Sequence, residues 1–84
     1  MIKAKEVREM MERAIENEIA RLKENAIQFC EEISKEIEAS ANKKYYNIII
    51  TVPNSVKRNY VVEILKDNGY SVSIKSDGKL DIMW

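Results

Sequence analysis

KAKEVREMMERAIENEIARLKENAIQFCEEISKEIEASA, residues 3–41, contains neither glycine nor proline and is rich in Glu, Lys, Ala, Ile and Met. Apolar residues return at Ala4, Val7, Met11, Ala14 or Ile15, Ile19, Leu22, Ala26, Phe29, Ile33 and Ile37. The steps between them are three and four residues, which puts all of them on one stripe of an α-helix approaching a heptad seam. Glu9 stands four residues before Arg13, the favourable order for a charged pair on a helix surface. The stretch therefore predicts one long helix. Asn17 and Asn25 are weak helix formers that mark places for a bend, not by themselves a break.

Such a helix extends roughly 57 Å, whereas a compact chain of this size has a radius of gyration of only about 12 Å. The remaining residues are too few to cover the stripe from end to end. Two solutions follow. A second copy covers the overhang, as a parallel or antiparallel helix dimer, a coiled coil or a larger bundle, or the helix folds back near Asn25 onto its own sheet. The first is preferred, with Val7, Met11, Ile15, Ile19, Leu22, Ala26, Phe29 and Ile33 as the oligomer interface.

Beyond the helix the pattern changes period. YYNIIITV, residues 45–52, has the β-branched and aromatic composition of a buried strand, and Pro53 ends it. Residues 55–68 predict a second helix with Val56, Tyr60, Val61, Ile64 and Leu65 on its apolar face, stopped by Gly69. Tyr70–Ile74 and Leu80–Trp84 alternate as strands, joined by Ser76-Asp77-Gly78-Lys79, whose Asp-Gly step is a strong hairpin signal. The expectation is an α+β fold: a long N-terminal helix (residues 1–42) followed by a β-α-β-β unit (residues 45–84), in one domain spanning residues 1–84. A right-handed crossover makes the first two strands parallel. The sheet is then three-stranded and mixed, with both helices on one face. The last strand fits between the other two, which would place Leu80, Ile82 and Trp84 mid-sheet.

The tail residues, Leu65-Lys-Asp-Asn-Gly-Tyr-Ser-Val-Ser-Ile74 and Leu80-Asp-Ile-Met-Trp84, resemble the ending of short, uncharacterised phage- and prophage-encoded proteins. These pair a charged N-terminal helix with a small C-terminal sheet ending L-x-I-x-W. The resemblance spans residues 46–84 and carries over no catalytic residue. It implies an accessory role: binding a host protein, a defence component or a signalling nucleotide, in the host cell cytoplasm.

Inventory narrows the chemistry. The 84 residues include no histidine and a single cysteine, Cys30, so no intrachain disulfide can form. A nucleophile would have no histidine base beside it, and two glycines cannot build a Gly-rich phosphate loop. An enzyme is not expected, nor a cofactor, nor a metal. Cys30 reads as a small packing residue. No apolar run is long enough to span a bilayer, and residues 1–20 lack the apolar stretch of a secretion signal, so a soluble cytoplasmic protein is expected.

Basic and acidic side chains balance at 14 each, yet unevenly along the chain. Residues 1–42 carry seven basic and ten acidic groups and residues 43–84 seven and four, so the halves stand at −3 and +3. The C-terminal half is the better home for an anion. Within it, Asn54 and Ser55 read as caps of the second helix, with Lys57 and Arg58 in its first turn, where backbone amides and the helix dipole favour anions. The plainer reading is a capped helix with solvated charges. Lys43, Lys44 and Tyr45, with Tyr46, set cations beside aromatic rings as single-stranded nucleic acid binders do. They belong to the far end of the first strand and could join 54–58 only across a subunit interface. A nucleotide or nucleic-acid binder is therefore the alternative to a self-associating protein-binding module.

Overall fold

A computed structural model describes residues 1–84, which form α1 (Ala4–Asn42), β1 (Asn47–Ile50), α2 (Arg58–Asp67), β2 (Ser71–Ile74) and β3 (Leu80–Met83). α1 is unbroken, so the stripe does not fold back at Asn25. The molecule measures 64 × 24 × 19 Å with a radius of gyration of 17.4 Å, well above the compact value.

Both helices end in the same backbone device. At the end of α2 the Gly69 amide donates to the Lys66 carbonyl at 3.0 Å and the Tyr70 amide to the Leu65 carbonyl at 3.1 Å. Gly69 is left-handed, with φ 91°. At the end of α1 the Lys44 amide donates to Ala41 at 2.9 Å and the Tyr45 amide to Ser40 at 3.0 Å. These are Schellman motifs, which satisfy the last carbonyls while reversing the chain. In α1 the left-handed position is held by Lys44, φ 67°, where a Cβ makes the conformation strained.

The sheet order is β1-β3-β2, with β3 antiparallel to both neighbours. β1 and β2 thus run the same way, as the crossover requires, but they never touch. Every ladder is antiparallel, so the sheet is not the mixed one expected. The β2–β3 hairpin closes through a three-residue loop, Ser76–Gly78. The Gly78 amide donates to Lys75 at 2.9 Å and the Lys79 amide to Asp77 Oδ1 at 3.1 Å, with Gly78 at φ 84°. A type I turn followed by a left-handed glycine matches the twist of the strands.

Register sorts the two faces. Ile48, Ile82 and Val72 lie abreast, as do Ile50, Leu80 and Ile74. α1 packs beneath β1 and α2 beneath β2, on that one side. The core is Ala26, Cys30, Ile33 and Ile37 from α1, Val61 and Leu65 from α2, and Ile50, Leu80 and Ile82 from the sheet, with no polar residue buried among them. The other face shows Asn47, Ile49, Ser71, Ser73 and Met83 to solvent, and Asn47 Nδ2 donates to Asp81 Oδ1 across it at 2.9 Å. Trp84 falls beyond β3 and stays exposed, its amide donating to the Tyr46 carbonyl at 3.3 Å. The mid-sheet position expected for it belongs to Leu80 and Ile82 alone.

Candidate interaction surface and anion site

The apolar stripe of α1 divides in two. Ala26 and Ile33 are withdrawn into the chain's own core, and Phe29 is packed against it. These three are therefore not free for an oligomer interface. Leu22 is half-buried at the boundary. N-terminal to it, residues 1–21 are all exposed. Val7 remains 48% exposed, Met11 55%, Ile15 49% and Ile19 39%. Met10, which the stripe reading missed, is 55% exposed beside them. It falls one position before Met11, about 100° round the helix from it, and so flanks the stripe beside Val7 without lying on it.

The reason for the division is reach. α2 has 10 residues and the strands four each, spanning roughly 15 Å and 13 Å. A 39-residue helix runs on past them. Cys30 lies under this cover, and burial pushes its thiol above the usual range by penalising the thiolate. A protonated, enclosed thiol is a packing group and a poor nucleophile.

The basic segment is arranged differently from the expected capped helix. α2 begins at Arg58, not Ser55, and its N-cap is Lys57, whose extended backbone carries no side-chain capping bond. Asn54 and Ser55 precede the helix in a turn closed by the Val56 amide on the Pro53 carbonyl at 3.0 Å. β1 has already ended at Ile50, and Asn54 and Ser55 hold the centre of this turn, where such residues are favoured. A shallow concavity of about 320 Å³ gathers Asn54, Lys57, Arg58, Asn59 and Gly78. Ser55 instead borders a separate hollow with Asn25, Gln28 and Glu32 of α1.

The hairpin's approach to this concavity was not legible from residue types. Arg58 Nη1 donates to the Gly78 carbonyl at 3.3 Å and ties α2 to the β2–β3 turn. One guanidinium is thus partly engaged, while no acidic side chain lines the hollow. Lys43, Lys44 and Tyr45 form the α1–β1 turn, at the opposite end of β1 from Pro53 and Asn54. Within one chain the two basic segments do not meet. On α1, Lys23 stacks over the Tyr60 ring of α2 at 5.9 Å from its centroid, a contact that helps hold the two helices together. No helix is long and apolar enough to cross a membrane. No family model, curated protein or solved structure matches this chain, so its function is read from the exposed half of α1 and from the basic hollow.

Proposed function

We propose that this protein is a small non-enzymatic interaction module, cytoplasmic, which self-associates through the N-terminal half of α1 and binds and modulates a second protein. The observation that carries this reading is the bare stripe: Val7, Met11, Ile15 and Ile19 share a helix face on which nothing in the chain packs, with exposed Met10 flanking it beside Val7. Soluble monomers scatter single apolar residues over their surfaces, but a contiguous row marks a contact surface.

Magnitudes set its character. Covering the exposed half of each of the four stripe side chains is worth about 1 kcal/mol, hence roughly 8 kcal/mol for two copies. Association costs on the order of 4–15 kcal/mol in lost freedom and side-chain ordering. The two terms are comparable, so the pairing is reversible and concentration-dependent. The resemblance to phage accessory proteins supplies the kind of further partner, a host or defence protein. Light scattering across a wide range of protein concentration tests the core of the proposal. A mass rising from monomer to dimer is expected, and a monomer at every concentration refutes it.

A second reading rests on a separate observation. The hollow at Asn54, Lys57 and Arg58 presents two cations and no lining carboxylate, which suits a phosphate of a nucleotide or nucleic acid. Titration with a single-stranded oligonucleotide at low and high salt tests it. Salt-sensitive binding lost on Lys57→Ala plus Arg58→Ala is expected on this reading, and equal behaviour of wild type and double variant removes it.

A further inference from the structure

We propose, building on the self-association above, that the two copies pair antiparallel along their exposed α1 halves, crossing near Met11. Four charged residues, Lys5, Arg8, Glu12 and Glu16, each follow a stripe residue by one position: Ala4, Val7, Met11 and Ile15. Spaced by three, four and four, they line one flank of the stripe, and all are exposed. In chain order they read two cations, then two anions. Such a row is complementary to itself only when reversed.

The opposite flank agrees. Over the fully exposed stripe, Ala4 to Ile19, the preceding residues are Lys3, Glu6, Met10, Ala14 and Glu18, with a cation at the start and an anion at the end; Arg21 follows only beside the half-buried Leu22. Helices packed antiparallel set like flanks side by side, whereas parallel ones set each flank against the other. Antiparallel pairing about Met11 places Val7 against Ile15 of the second copy. It brings Lys5 and Arg8 alongside Glu16 and Glu12, and Lys3 alongside Glu18. Parallel pairing would gather Lys3, Lys5 and Arg8 at one end and Glu16 with Glu18 further along.

The charges also break a local rule that this pairing repairs. Glu12 and Glu16 are four apart on one helix, where like charges repel, a cost that Arg8, four before Glu12, and Arg13, three before Glu16, lessen within the chain. Cations of a second copy beside them offset it further. From Ala4 to Leu22 the stripe covers 18 residues in five steps, or 3.6 per turn, the period of a straight helix. The pair is therefore a straight contact confined to the exposed half, not the wound heptad coiled coil that the spacing first suggested.

Single-cysteine additions on the exposed half test this without touching the core. Val7→Cys and Ile15→Cys are prepared separately and mixed under mild oxidation, the native Cys30 being enclosed. A disulfide between position 7 of one copy and position 15 of the other is expected to dominate, with neither variant linking well to itself. Self-linking of each variant alone overturns the antiparallel sense, and dominant linkage of Val7→Cys to Ile19→Cys overturns the register. No dimer by light scattering at any concentration would instead remove the self-association on which the inference rests. A charge exchange gives independent support. Lys5→Glu plus Arg8→Glu should weaken association roughly tenfold, and mixing with Glu12→Lys plus Glu16→Lys should restore it. Failure of the mixed pair to recover overturns the proposal.

Discussion

Ile15→Ala and Ile33→Ala remove the same atoms from the same helix and the same stripe, yet their consequences should differ in kind. Ile33 is 2% exposed between β1 and the core, and Ile15 is 49% exposed on the bare half. Truncating a buried isoleucine costs about 2–5 kcal/mol, because transfer energy is lost and the cavity relaxes incompletely. A chain of this length holds only about 4–13 kcal/mol in all. With nine buried residues to share that stability, Ile33→Ala should consume much of it at any protein concentration. Ile15→Ala creates no cavity in the single chain and gains a few tenths of a kilocalorie from the better helix propensity of alanine. Its loss appears only in the pair, at about 1 kcal/mol per copy, which weakens dimerisation roughly 30-fold. Urea unfolding followed by far-UV circular dichroism, run dilute and concentrated, separates the two. The core variant should unfold early at both concentrations. The surface variant should match wild type when dilute and fall behind when concentrated. A loss above about 1 kcal/mol for Ile15→Ala in dilute solution would mean that the chain's own fold covers this face, and the reasoning fails.

Asn54→Ala and Ser55→Ala should each leave stability within about 0.5 kcal/mol of wild type, since neither caps α2; a loss near 1 kcal/mol would restore the capping role. Lys44→Gly should stabilise the chain by about 1 kcal/mol by relieving the left-handed backbone after α1, seen as a higher urea midpoint; no gain would mean the strain is absent. Gly69→Ala should cost about 1 kcal/mol for backbone reasons alone, because an added Cβ there meets nothing within 4 Å. Burial raises the Cys30 pKa, so its contribution to stability is full below the unfolded thiol's value near 8.5 and lost as pH rises through the folded value. Wild type should therefore lose more stability than Cys30→Ala between neutral and alkaline pH, and parallel profiles would show that the thiol ionises freely in the fold.

What the sequence determined by itself is the local grammar. The unbroken three–four spacing from Ala4 to Ile37 dictated the helix, because helical neighbours are set by backbone geometry and not by distant contacts. Alternation around Val72 and Ile82, the Asp77-Gly78 step and Gly69 fixed strands, hairpin and helix stop for the same reason. The open sheet face, polar except for Ile49 and Met83, was legible from alternation too. The tertiary structure decided which half of the stripe is core. Ala26 and Ile15 look equivalent in one dimension, and only the short reach of α2 and the strands buries one and leaves the other bare. The central place of β3 was expected from the sequence; the tertiary structure decided that every ladder is antiparallel and that Trp84 falls past the strand end. It also moved the start of α2 to Arg58, since the turn centred on Asn54 and Ser55 takes up chain that propensity alone would assign to the helix. Burial depends on what lies opposite, and a residue's own neighbours in the chain do not carry that information.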